Sequence, residues 1–208
     1  MTAEPSDTTP VLFPIYAEDH IQGSQRAPYT LVEYGDYQCP ACAQVFELIR
    51  NLQTTLGERL RVVYRHYPLS GLHPEAQEAA EAAEAAGAQG RFWEMHYLLF
   101  RNQNALKRKN LLSYAETLGL NIDRVRNELK KRVHEERVRE DFRRGVRSGV
   151  YKPPGLFLNG IRPSHACGTG AGPASDPRIP ELAPLRAWCA AHADGGMAKT
   201  ANRPSVRI

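Results

Sequence analysis

Two hydrophobic periods alternate along the chain. Tyr29-Thr-Leu-Val-Glu-Tyr34 mixes β-branched, aromatic and apolar residues and predicts a strand, ended by Gly35 and Asp36. From Ala43 the period changes: Val45, Phe46, Ile49, Leu52 and Leu56 recur mostly three and four apart, an amphipathic helix closed by Gly57. Leu60-Arg-Val-Val-Tyr-Arg-His66 is a second strand. Strand, helix and strand in this order favour a parallel pairing.

A long helical block comes next. Pro74 stands where a first helical turn tolerates it, and Glu75 to Ala86 is rich in the strong helix formers Ala and Glu. Gly87 and Gly90 break the pattern, and Phe92 to Phe100 forms an aromatic helix. Asn110 to Leu118 is another, capped by Asn110 and ended by Gly119, and Asn121 opens a further one. Strand-like chain returns only at Gly155-Leu-Phe-Leu158, with Asn159-Gly160 as a turn signal. Residues 1–17 are expected to form a flexible lead-in, and residues 18–165 the folded domain with its helical insertion at about 71–148. Residues 166–208 are expected to form a poorly ordered tail, rich in Gly, Pro, Ala and Ser, whose one helix runs from Leu182 to Ala193. The fold class is α/β.

The chain has 208 residues, 42% apolar and 24% charged, which suits one globular domain with a sizeable core. The net charge of +4 does not point to nucleic acid. Residues 123–147 carry ten Lys/Arg against six Asp/Glu, but the signs are mixed, as on a solvated face laced with weak ion pairs. The N-terminal segment lacks a basic start and a cleavage site, and no apolar stretch approaches the roughly 18 residues of a membrane span. The expectation is a cytoplasmic protein without membrane insertion.

Four cysteines are too few for a secreted disulfide scaffold. Two of them form Cys39-Pro40-Ala41-Cys42, directly after a strand and at the start of a helix. A thiol reacts as thiolate, with an unperturbed pKa of about 8.5. A helix N-terminus presents free N–H groups and its positive dipole end to the first sulfur, stabilising that thiolate. Pro40 in the first turn removes no hydrogen bond that would otherwise form. Cys39 then attacks or is attacked, and Cys42 resolves the mixed disulfide. A CxxC pair alone also fits a structural pair or half a zinc site; the strand–helix context favours thioredoxin-like redox chemistry.

Glu33-Tyr-Gly-Asp-Tyr-Gln-Cys39-Pro-Ala-Cys42 resembles the active-site segment of DsbA-like thiol–disulfide oxidoreductases. Arg65-His-Tyr-Pro-Leu69 with His73-Pro74, the segment AAEAAEAAGAQGRFWEMHYLLF, and Ser148-Gly-Val150 followed by LFLNG match as well. The likeness runs from about Asp19 to Gly160 and is closest to the soluble cytoplasmic-type branch, some of whose members occur fused behind sodium/proton antiporters. It implies a thioredoxin fold with a helical domain inserted between its halves, acting on protein or peptide thiols and recycled by a redox partner. No cofactor is called for, because the disulfide carries the electrons. Pro154 matches the family's cis-proline beside the disulfide, and Glu33 its buried acid, which relays a proton to Cys42. Lys152-Pro153-Pro154-Gly155 departs from the usual Gly-Thr-Pro-Thr, and Pro153 lacks the backbone N–H of the usual residue. The family's further strand and terminal helix are not evident after Asn159-Gly160.

Asp36 is expected to be a turn residue. His66, His73 and His96 are expected in hydrogen-bonding or capping roles rather than as metal ligands. Trp93, Tyr97, Leu98 and Phe100 are expected in the insert core. Cys167 and Cys189 match no family position and are expected to be bystander thiols rather than a second disulfide or, with His165 and His192, a metal-type donor set. The rival functions are a zinc-binding module and a non-catalytic thioredoxin-fold binding domain.

Overall fold

The computed structural model describes residues 14–162 and 179–192. Its centre is a four-stranded sheet in the order β1–β3–β2–β4. Strands β1 (His20–Gln22), β2 (Tyr29–Gly35), β3 (Leu60–His66) and β4 (Gly155–Leu158) build it. The β2–β3 pairing is parallel, as the connecting helix α1 (Pro40–Leu56) requires, while β1 and β4 run antiparallel to their neighbours. Between β3 and β4 the chain forms α2 (Ala76–Gly87), α3 (Phe92–Arg101), α4 (Arg108–Thr117), α5 (Ile122–Lys131) and α6 (Glu135–Arg147). This is the thioredoxin architecture with a helical insertion that the sequence predicts.

Alternation along β2 sorts its side chains. Leu31 faces Val45, Ile49 and Leu52 of α1, and Val32 and Tyr34 join the opposite cluster with Val63, Tyr67 and Phe157. Glu33 shares the parity of Leu31 and so lies on the face beneath α1. A third cluster joins Phe46 of α1 and Tyr64 of β3 to the insert through the alanines of α2 and Met95, Leu99 and Phe100 of α3. Here Ala79, Ala80, Ala82, Ala83, Ala85 and Ala86 are all buried, so α2 runs through the middle of the insert. Trp93 and Tyr97 pack on the margin of that core, and Phe100 lies inside it.

The structure departs from the sequence expectations in five places. Helix α4 starts three residues early, with Lys107 and not Asn110 as its N-cap residue. The basic stretch is two helices, because Arg132 adopts a left-handed conformation with φ of 51° and its guanidinium reaches the buried Glu81 at 2.8 Å. Asn121, in contrast, caps α5 as expected, accepting from Arg124 N. Strand β1, three residues long, is too short for alternation to reveal.

Residues 14–17 are not a free lead-in: the Pro14 carbonyl accepts from Arg65 at 2.7 Å, and Tyr16 stacks under Arg65 and Arg144. Helix α7 (Ala183–His192) packs on the sheet, with Leu182, Leu185 and Cys189 buried against the α1 cluster. A helix packed on the sheet therefore does follow β4 in the chain. Around the turn at Asn159-Gly160, Leu158 pairs with Ile161 in an isolated antiparallel bridge. Residues 1–13, 163–178 and 193–208, and with them most of the expected tail, lie outside the described residues.

Candidate active site

Strand β2 ends at Gly35, and the chain turns through Asp36 into α1, whose N-cap residue is Cys39 and whose first residue is Pro40. Asp36 organises that turn. Its carboxylate accepts from Gln38 N at 2.8 Å and Leu69 N at 2.9 Å and pairs with His73 Nδ1 at 2.8 Å. Its own N–H is directed at Cys42 Sγ, 3.4 Å away. Glu75 N donates to Gln38 at 2.9 Å, and Gln103 Nε2 donates to the Tyr37 and Cys39 carbonyls, each at 2.9 Å. The loops after β3 and α3 thus hold the CxxC turn. Asp36 is a turn residue, as expected, and also a buried hub; Gln103 carries no signal in the sequence at all.

The two sulfurs sit in different surroundings. Cys39 is 8% exposed, and the hydrogen bond from the Cys42 thiol, with the N–H groups of Cys42 and Ala41, lowers its pKa to about 6. Burial and the Asp36 charge oppose that shift. Cys42 is fully buried; desolvation, its role as donor to Cys39 and the nearby Glu33 charge raise it well above 9.0. Near neutral pH the outer sulfur is a thiolate and the inner one a thiol.

Glu33 is buried, and desolvation followed by the Cys39 charge pushes its pKa up to about 8. Opposite the sulfurs, the Pro153–Pro154 bond is cis, and the Pro153 carbonyl lies 3.9 Å from Cys39 Sγ. Tyr151 and Lys152, just before it, are exposed. The fold thus gathers the four residues singled out in the sequence: Cys39 and Cys42 at the helix start, Pro154 in the facing loop, and Glu33 in the strand below.

The histidines are hydrogen-bonded, as expected. His73 pairs with Asp36, and His96, its pKa depressed by burial, lies 3.1 Å from the Tyr37 hydroxyl. His66 belongs to a cluster the sequence does not reveal: His20 and His66 each place Nε2 2.9 Å from Glu84 Oε1. Among the described residues these three form the donor set closest to a metal site. Arg137 Nε also faces that oxygen at 3.9 Å, so the cluster acts as an ionic hub joining β1, β3, α2 and α6. Cys189 is buried in the α7 contact, and Cys167 and His165 lie outside the described residues.

A family model described as Thioredoxin matches residues 16–166. The chain belongs to the thioredoxin family. Among solved structures, this thioredoxin-family chain is similar to oxidised BdbD from Bacillus subtilis, with a TM-score of 0.63 and 19% identity over 84% of this chain and 92% of that one. It is likewise similar to a thioredoxin-like oxidoreductase from Silicibacter pomeroyi, with a TM-score of 0.60 and 23% identity over 67% and 79% of the two chains. These likenesses establish the DsbA-type fold. A Na(+)/H(+) antiporter NhaA 1 from Salinispora arenicola is 49% identical over 144 residues, 69% of this chain and 22% of that protein. The chain spans about a fifth of the length of such relatives. Among the described residues no helix is long and apolar enough to cross a membrane.

Proposed function

We propose that this thioredoxin-family protein is a thiol–disulfide oxidoreductase acting on protein or peptide thiols, with Cys39 and Cys42 as its redox carrier. The observation that carries the reading is the asymmetry of the two sulfurs: Cys39, which keeps 8% of its surface exposed, has a pKa of about 6 beside a fully buried Cys42 held as thiol. A low-pKa thiol next to a resolving cysteine is what exchange chemistry requires.

In the oxidised protein, a substrate thiolate attacks Cys39 and the Cys39–Cys42 bond breaks. Cys42 leaves with the electron pair and takes the proton of Glu33, whose carboxyl becomes carboxylate. A second substrate thiolate attacks the substrate sulfur of the mixed disulfide, and Cys39 leaves as thiolate. Two electrons pass from substrate to protein. In the reverse direction, Cys39 thiolate opens a substrate disulfide, Glu33 carboxylate takes the proton of Cys42, and Cys42 displaces the substrate thiolate from Cys39. A second dithiol or disulfide partner restores the starting state. Cys39 is the attacking thiol, Cys42 the resolving thiol, and Glu33 the proton relay. Pro154 belongs to the loop that meets the substrate, where the Pro153 carbonyl is available to a substrate N–H and Pro153 offers none in return.

Dithiol-driven insulin reduction and oxidation of a reduced test peptide, each beside a Cys39→Ser control, test this. Turnover that disappears in the control supports it; equal, negligible turnover in both proteins rejects it.

A further inference from the structure

Tyr64 and Glu33 are register partners on the parallel strands β3 and β2, on the face that α1 covers. Glu33 Oε1 is buried with no hydrogen-bond partner among the described residues, and the Tyr64 hydroxyl, buried too, makes no well-formed hydrogen bond, the Tyr37 hydroxyl being its one neighbouring phenol. Buried polar atoms seldom stay unpaired, and each one costs free energy until it is satisfied. The two oxygens converge on one place. A Cβ on Gly35 would lie 2.8 Å from the Tyr64 hydroxyl and 3.0 Å from Glu33 Oε1, so the missing side chain of Gly35 leaves a notch that both oxygens border. Each offers what the other lacks, a phenolic O–H donor and a carboxylate acceptor.

We propose that Tyr64 is a positioning residue whose hydroxyl, not bonded to Glu33 in this structure, turns to donate to the Glu33 carboxylate beside Gly35 when that group ionises, and so sets the pH at which Glu33 accepts the proton of Cys42. This rests on the relay role of Glu33 proposed above. The Tyr64 ring is held by Tyr37, with centroids 5.4 Å apart, and edge-on by His96 at 4.6 Å, so its oxygen is fixed in place while its O–H can rotate. Burial raises its own pKa well above 10.0, which keeps it a donor throughout the working range. The titratable groups around it are Glu33, Asp36, Tyr37, Cys42, His66 and His96. A donor to the ionised form lowers a carboxyl pKa. Tyr64 thus limits how far burial lifts Glu33, and leaves enough carboxylate near neutral pH to deprotonate Cys42. In that step the Cys42 S–H proton moves to Glu33, the Cys42 electron pair forms the bond to Cys39, and the Cys39–substrate bond breaks with its pair leaving on the substrate sulfur.

The test is the pH dependence of resolution: Cys39 is loaded with thionitrobenzoate, and release of the free thiolate by Cys42 is followed in the wild type, Tyr64→Phe and Glu33→Gln. The expectation is that Glu33→Gln abolishes the limb that Glu33 controls. Tyr64→Phe should keep the limb and move its midpoint up by about one pH unit, about a tenfold loss of rate below it. A Tyr64→Phe midpoint equal to wild type, with the Glu33→Gln limb gone, overturns the role of Tyr64 and leaves the relay intact. A limb that survives Glu33→Gln overturns the relay and this inference with it. Should Tyr64→Phe not fold, 3-fluorotyrosine at position 64 supplies a more acidic donor that keeps the ring. It should move the midpoint down, and an unmoved midpoint counts against the proposal.

Discussion

The side-chain amide of Gln103 donates to the main-chain carbonyl of Cys39 at 2.9 Å, so a loop 64 residues downstream fixes the turn that presents the reactive sulfur. The same nitrogen holds the Tyr37 carbonyl. Gln103→Ala removes both bonds, and the predicted loss is about 1–2 kcal/mol of folding free energy. Urea unfolding measures it, and a midpoint equal to wild type would show that the turn holds itself.

Alkylation of the reduced protein by iodoacetamide should rise with pH through a midpoint near 6 and then level off, because Cys39 is a thiolate above its lowered pKa. Cys42, buried and with its pKa raised, should stay unmodified across that range. A single midpoint near 8.5, about the unperturbed value of a thiol, would contradict the asymmetry of the pair.

The same depression sets the oxidising power. DsbA itself has a reactive thiol of pKa about 3.5 and a potential of about −120 mV. Thiolate stabilisation is weaker at Cys39, so the CPAC pair should have a more negative potential. Equilibration with a glutathione buffer measures it, and a value at or above that of DsbA would refute the prediction.

Glu33 gives stability a pH slope of definite sign. Its folded pKa is raised to about 8 from an ordinary 4.5, so between these values the native state keeps a proton that the unfolded chain has lost. Stability from this group is complete below about pH 4.5 and falls as pH rises toward 8. The difference in unfolding free energy between Glu33→Gln and wild type should therefore move in the variant's favour between pH 5 and pH 8. Parallel urea curves at the two pH values would place the Glu33 titration outside this window.

Arg65 is buried and forks onto Asp19 at 2.9 and 2.7 Å, with a third bond to the Tyr34 hydroxyl at 2.8 Å. Removing one partner of such a pair strands the other charge. Arg65→Ala is predicted to cost about 3–5 kcal/mol, and Arg65→Lys should restore only part of it, because an ammonium lacks the planar fork. Thermal and urea denaturation of the two variants decide the order; a lysine as good as arginine would mean that charge alone matters.

Local pattern was enough for the centre of this protein. The switch from alternation in Tyr29–Tyr34 to a helical period after Ala43 places Cys39 at a strand-to-helix junction, and the junction itself orients N–H groups toward its sulfur. The parallel β2–β3 pair, β4, α7 and the Asn121 cap arise from the same short-range physics. What the tertiary structure decided has partners far away in sequence. Glu33 is buried because β3, β4 and α1 surround it, and its alternation alone allows either face. The alanines of α2, equally suited to a solvated helix, are interior because α3 and α5 close over them. The fork on Arg65, the His20–Glu84–His66 hub and the Gln103 clasp each join segments dozens of residues apart. No periodicity marks such contacts, because a hydrogen-bonding side chain acquires its meaning only when packing brings a partner within about 3 Å.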